Sequence, residues 1–213
     1  MTNHGLPDNF FAREDESPDE AFYAEPRFKT HIDDATIAAL TRYYREILKP
    51  GDRVLDLMSS WISHLPEDLE LSFVAGHGMN QQELDRNPRL NERLVQNLNH
   101  NPVLPWPDNH FDAVLIAVSV QYLTRPFEVF AEIARVLAPG GRCVVAMSHR
   151  LFPTKAVYAF QVLAPAERCR LVGSYMGLAG FEGVEVLDRS PANADPLWVV
   201  VGGKGEYGQI TQL

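Results

Sequence analysis

The sequence predicts an α/β protein: a doubly wound, seven-stranded mixed sheet, flanked by helices, in which only the last strand is antiparallel. Two observations lead there. From residue 35 onward, short near-continuous apolar runs alternate with helical patterns. Strands buried on both faces read this way, because crossover helices cover both sides of a parallel sheet. The chain then closes with "VEVLDRSPANADPLWVVVGGK", two strand-like runs joined by a polar loop that carries Pro191 and Pro196. That loop is long enough for a hairpin but too short for a crossover, so this pair is antiparallel.

Residues 1–22 are polar and acidic and contain Pro7 and Pro18, which predicts a loosely held arm. "HIDDATIAALTRYYREILKPGD" predicts the first long helix. Asp33 or Asp34 caps it, Ile37, Leu40, Tyr44 and Ile47 recur at helical spacing, and Lys-Pro-Gly ends it. "RVLDLM" predicts a buried strand that runs into a turn and then a helix. Further strands fall at "LSFVAG", "ERLVQNL", "FDAVLIAVS" and "RCVVAMS", which makes five strand–helix units. In "TRPFEVFAEIARVLAPGG", Pro126 sits in the first turn of a helix and Gly140–Gly141 end it. Phe127, Phe130, Ile133 and Val136 or Leu137 form its buried stripe.

The 213 residues, 46% of them hydrophobic, suit one compact domain with a small appendage. We expect an acidic arm or lid over residues 1–34 and the main domain over 35–213. The formal net charge is -9, and residues 1–34 hold nine acidic side chains against Arg13, Arg27 and Lys29. Such a chain is a poor partner for phosphate backbones, so nucleic acid is not expected. No apolar run reaches membrane-spanning length, and "MTNHGLPDNF" has no basic segment followed by an apolar one, so a cytoplasmic protein without a membrane partner is expected. Cys143 and Cys169 read as thiols in a reducing compartment. Seven histidines with two scattered cysteines give no zinc spacing, and no metal is expected. There is no Gly-x-Ser-x-Gly elbow and no phosphate loop.

One block is more specific. "LPWPDNHFDAVLIAVSVQYLTRPFEVFAEIARVLAPGGRCVVAM", residues 104–147, resembles the class I S-adenosylmethionine-dependent methyltransferases in their small-molecule, type 11-like branch. That family carries an L-P-F-P-D…F-D run, a strand, a short loop, a helix and a V-L-x-P-G-G turn in this order. The resemblance covers roughly residues 35–203. It implies a Rossmann-like methyltransferase fold, S-adenosylmethionine as cofactor and methyl transfer to a small-molecule acceptor.

The resemblance also assigns a site, with departures. The family's first strand runs into an acidic residue and three glycines. Here Asp56 remains, while Met58, Ser60 and Ile62 stand at the glycine positions, so the loop is expected to take a different path. Asp56 would face the methionine ammonium, and Ser59, Ser60 and Ser63 offer hydroxyls or cap the next helix. The family's ribose-holding carboxylate falls on Gly78, so Gly78→Asp is expected to tighten cofactor binding. Met79 could pack on the adenine. Asn80 could bond the ribose, although with Glu83 it has the spacing of a capping box. Gln96, Asn97, Leu98 and Asn99 stand in the adenine region, and Ser119 lies at the same sheet rim.

Gln121 and Tyr122 follow the fourth strand, where the family keeps substrate-facing groups. "SHRLFPTK" follows the fifth and brings His149, Arg150 and Lys155. With Arg27 and His31 from the segment before the first helix, these would make the mouth positive and suit an anionic acceptor. His149 or Tyr122 is the expected base. The rival reading is a non-catalytic binding or scaffold protein on the same fold, and a third is an enzyme that uses another adenosyl compound.

Overall fold

The computed structural model describes residues 5–7 and 9–206. Residues 1–4 and Asp8 of the expected arm, and residues 207–213 of the expected main domain, lie outside the described residues.

Seven strands form one sheet: β1 (Arg53–Asp56), β2 (Phe73–Gly78), β3 (Glu92–Val95), β4 (Phe111–Ala117), β5 (Leu137–Met147), β6 (Glu182–Asp188) and β7 (Trp198–Gly203). Their order is β3-β2-β1-β4-β5-β7-β6. β3 to β5 run parallel, and β7 is inserted antiparallel between β5 and β6. This is the predicted mixed sheet with its antiparallel last strand. The order reverses between β1 and β4, which opens a crevice at their carboxyl ends.

The helices are α1 (Asp19–Phe22), α2 (Asp34–Ile47), α3 (Gln81–Arg86), α4 (Pro126–Val136), α5 (Tyr158–Val162) and α6 (Pro165–Leu178). Asp33 caps α2 by accepting from the Thr36 backbone N–H at 2.8 Å. Tyr44, Leu40 and Ala39 of α2 join Val54, Val74 and Leu84 on one face of the sheet. Phe130 and Ile133 of α4 and Val172 and Tyr175 of α6 pack against Leu55, Val114 and Val145 on the other. Phe127, expected in the α4 stripe, is only partly buried, and Val129 takes its place. Both cysteines are buried and unpaired.

Helices follow β2, β4 and β5 but not β1 or β3, so the expected five strand–helix units are three. After β1 the backbone donors turn elsewhere: Met58 N–H points to His77 Nδ1 (3.3 Å) and Ser59 N–H to His77 O (2.6 Å). The serine side chains expected as helix caps are engaged instead with Asp56, Glu83 and Asn87. After β3, the Asn97 side chain accepts from Asn99 N–H at 3.0 Å and makes a turn where a helix was expected.

Candidate functional site

A cavity of about 320 Å³ lies at the carboxyl ends of β1, β2 and β4, the crevice that the strand order opens. This is within the size range of small-molecule sites, at its lower end. Its walls come from the loop after β1, the end of β2, residues 96–99, residues 117–119 and the arm.

Asp56 ends β1 and is 3% exposed, yet its carboxylate borders the cavity. Burial pushes its pKa up to about 6, against the pull of hydroxyl hydrogen bonds from Ser59 and Ser63. Among the described residues no cation forms an ion pair with it, so its charge is left without a counter-ion in the protein. A buried carboxylate in that condition is where a cationic ligand group gains most.

The backbone around the cavity is strained. Met58 (φ 59°), His64 (φ 55°) and Val118 (φ 51°) sit in the left-handed region, and all three line the cavity. The two remaining non-glycine examples are asparagines, which tolerate this region. Such strain concentrates at functional sites. Met58 corrects one premise of the expected different path: a methionine at a glycine position does adopt a positive φ here.

Of the sites assigned from sequence, Asp56, Met58, Ser59, Ser60, Gly78, Met79, Asn80, Asn97, Leu98 and Ser119 all line the cavity. So do Arg27, His31, Tyr122 and Arg150. Three residues do not. Lys155 is fully buried and holds the arm: its ammonium meets Ser17 O at 2.7 Å, Asp15 Oδ2 at 3.2 Å and Asp19 Oδ1 at 3.5 Å. Gln121 is buried and donates to the carbonyls of Val118 and Arg150. His149 sits beside Asp195 (3.2 Å) and is half exposed, outside the cavity wall. Arg150 reaches the wall, but its guanidinium is taken by Asp195 at 3.0–3.1 Å. Tyr122 has its hydroxyl on Phe152 N–H (2.8 Å), and burial raises its pKa, so it stays protonated at neutral pH and is no base.

The amides read as stand-ins for cofactor-binding carboxylates are also engaged, and most of them hold the arm. Asn80 donates to the carbonyls of Tyr23 and Ala24, Asn97 to Glu20, and Asn99 to Asp19 and Tyr122 O. Asn80 accepts from Glu83 N–H, which is half of the expected capping box. The Glu83 carboxylate does not complete it. It turns to Arg27 N–H and the Ser60 hydroxyl, each at 2.6 Å.

Glu83, His64, His77, Trp61 and Phe152 were not assigned to the site from sequence, and all five line it. His77 is buried, and desolvation pulls its pKa down to about 4, so it is neutral at physiological pH. The one signal available was that His77 lies next to the end of β2 at the rim. His64 and Trp61 follow an irregular loop that no periodicity marks.

Gly78 reverses the restoration expectation. A Cβ there would lie 2.6 Å from the Ser59 carbonyl oxygen and 3.1 Å from Leu84 Cδ2. The position excludes a side chain because the loop after β1 crosses it closely. Gly78→Asp, and Gly78→Ala equally, should therefore lower the melting temperature and weaken ligand binding. Thermal denaturation checks this, and an alanine variant as stable as wild type would contradict the packing.

The sheet order, the antiparallel β7 and the cavity at the switch point define the class: an α/β protein with the Rossmann-like methyltransferase fold. Comparison with known proteins agrees. Residues 72–145 match the family described as "Methyltransferase domain". The chain is 26% identical over 157 residues to the ubiquinone/menaquinone biosynthesis C-methyltransferase UbiE of Neisseria meningitidis, spanning 66% of this chain and 64% of that protein. It is 30% identical over 107 residues to the Shewanella sediminis protein of the same name, spanning 46% and 43%. The chain thus covers less than two thirds of either relative. Among solved structures, the [4+2]-cyclase SpnF aligns with a TM-score of 0.59 at 19% identity, over 78% of this chain and 80% of that one. An S-adenosylmethionine-dependent methyltransferase from Mesorhizobium loti aligns with 0.57 at 18% identity, over 80% and 100%. At these identities the structures establish the fold. Residues 72–145 thus resemble the methyltransferase-domain family, on a fold shared with a solved S-adenosylmethionine-dependent methyltransferase.

Proposed function

We propose that the protein is an S-adenosylmethionine-dependent methyltransferase acting on a small-molecule acceptor, with residues 1–34 as its lid. The observation that carries this reading is Asp56, a buried carboxylate at the end of β1 with cavity before it and, among the described residues, no cation on it. The cofactor's methionine ammonium supplies the missing charge. The cavity fits such a group in a second respect. Three buried polar atoms without a partner, His64 Nδ1, His77 Nε2 and Ser119 Oγ, belong to residues that line it. Orphaned buried polar groups are costly, and a ligand's polar edge satisfies them.

When bound, S-adenosylmethionine offers a sulfonium methyl group for in-line displacement. The protein's part is alignment and exclusion of water. Leu98 and Met79 give apolar surface for a flat ring, and Asp56 fixes the amino-acid end. The arm closes the cavity through Tyr23, Arg27 and residues 29–32. With Tyr122 protonated and His149 outside, a proton acceptor for the acceptor group falls to His31. It lines the cavity, and burial holds its pKa below the usual value, so it is neutral at pH 7. The acceptor is anionic on grounds developed below. A cytoplasmic location accords with this reading, and among the described residues no helix is long and apolar enough to cross a membrane. Among the described residues no three His, Cys, Asp or Glu are placed to hold a metal ion.

Calorimetric titration with S-adenosylmethionine and S-adenosylhomocysteine tests the proposal. Saturable binding of both is expected. A protein that takes up neither at millimolar concentration is not a methyltransferase, and the scaffold reading replaces this one.

A further inference from the structure

Three carboxylates line the cavity, and all three are engaged within the protein. Asp19 pairs with Arg13 (2.6 Å) and Lys155 (3.5 Å), Glu83 accepts from Arg27 N–H and Ser60, and Asp56 from Ser59 and Ser63. The cations of the wall differ among themselves. Arg150 is neutralised by Asp195. Arg27 is not neutralised: among the described residues no carboxylate lies within ion-pairing distance of its guanidinium, although the group is half-buried.

Arg27 is nonetheless held firmly. Its Nη2 donates to Phe22 O at 2.8 Å. Its guanidinium carbon lies 4.4 Å from the Phe22 ring centroid, 5.3 Å from Phe152 and 5.6 Å from Tyr23. Stacking of this kind fixes the plane of the group without spending its charge. Nη1 remains, a buried N–H donor with no partner, on a residue of the cavity wall. His31 stands next to it, with its ring edge-on to Phe152 (5.3 Å), and His64 lies near His31 with a buried, unpartnered Nδ1. Phe152 in turn stacks on Tyr122 at 5.7 Å and 27°. A fixed, unpaired guanidinium therefore faces a cavity that has an aromatic wall and two neutral imidazoles.

We infer that Arg27 is the receptor for an oxyanion of the acceptor, a small organic carboxylate or phenolate that pairs with Nη1 and lays its apolar part against Phe152 and Tyr122. This rests on the methyltransferase reading for the word acceptor, but the receptor itself rests on the geometry. It moves the anion-binding role expected of Arg150, His149 and Lys155 onto an arm residue that is half-buried, fixed by stacking and, among the described residues, paired with no carboxylate, whereas Lys29 on the same wall is exposed. The same donor could instead meet the carboxylate of the cofactor, and the experiment separates the two.

Wild type and Arg27→Gln are saturated with S-adenosylhomocysteine and titrated with formate, acetate and benzoate, each against its neutral amide, by ligand-observed NMR. S-adenosylhomocysteine and 5′-methylthioadenosine, which lacks the amino-acid carboxylate, are titrated separately. In wild type at least one carboxylate should bind about tenfold or more tighter than its amide, the usual size of a charge-assisted contact. In Arg27→Gln that preference should vanish, while S-adenosylhomocysteine affinity stays within about twofold of wild type, which also shows the site intact. Arg27→Lys, which keeps the charge but loses the fork, should retain part of the preference. Wild type that prefers no carboxylate over its amide overturns the inference. So does a variant that loses S-adenosylhomocysteine affinity but not methylthioadenosine affinity, since Arg27 then serves the cofactor. A wild type that shows the carboxylate preference but binds neither adenosyl compound keeps the receptor and removes the methyltransferase.

Discussion

Replacing Lys155 with Met is expected to lower the unfolding free energy by about 3 kcal/mol, the lower end of the loss seen when one partner leaves a buried ionic network. Lys155 is fully buried, and among the described residues its ammonium is satisfied by the arm: the carbonyls of Asp15 and Ser17, the Ser17 hydroxyl, and the carboxylates of Asp15 and Asp19. Methionine fills the stem's volume but leaves those acceptors facing apolar surface. Asp19 is the most sensitive to this loss, at 5% accessibility, and its remaining pair with Arg13 is why the lower end applies. The arm is otherwise joined to the α5 region by backbone bonds from Asp15 to Thr154, Tyr158 to Ala12 and Ala159 to Phe10. Chemical denaturation should show the loss, and limited proteolysis should cut the variant first within residues 13–25. A variant as stable and as protected as wild type would mean that the arm is held by its backbone contacts alone.

Asp56→Asn should do two opposite things. The folded carboxyl has its pKa pushed from 3.8 to about 6. The folded protein therefore holds this proton more tightly than the unfolded chain, and the contribution is complete below about pH 4 and lost as pH rises through about 6. Above that window the ionised group costs about 3 kcal/mol relative to acid, since each tenfold change in proton affinity is worth about 1.4 kcal/mol. Asparagine has the same shape and no charge. The variant should accordingly be more stable than wild type at pH 8 and no more stable at pH 4. It should also bind S-adenosylmethionine about tenfold or more weakly, because the ammonium loses its counter-ion. Stability gained as affinity falls is the mark of a residue kept for function. Denaturation at the two pH values, with titration at pH 8, measures both. Equal affinity would remove Asp56 from the site.

The sheet was legible because burial on both faces writes continuous apolar runs and because the polar loop of residues 189–197 is short. The missing helices after β1 and β3 were not. The serines of residues 59–63 carry the same signature whether they cap a helix or bond Asp56, Glu83 and Asn87 across the fold. The rim residues near Asp56 were legible from strand ends read together with the family resemblance. The arm was where sequence reasoning fell short. Asn80, Asn97, Asn99 and Lys155 look like ligand-binding groups in a linear chain, and their partners, Tyr23, Glu20, Asp19 and Asp15, stand 57 to 140 residues away. Gly78 similarly looked like a lost acid, and only the path of the Ser59 carbonyl shows it as a required glycine.

The most direct measurement is a crystal structure of the protein grown with S-adenosylhomocysteine. The expected result is the ligand in the cavity at the ends of β1, β2 and β4, its ammonium within hydrogen-bonding distance of Asp56 and its adenine against Leu98 or Met79, with Arg27 left free of the ligand's carboxylate. A ligand elsewhere on the surface, or an empty cavity at saturating concentration, would contradict it.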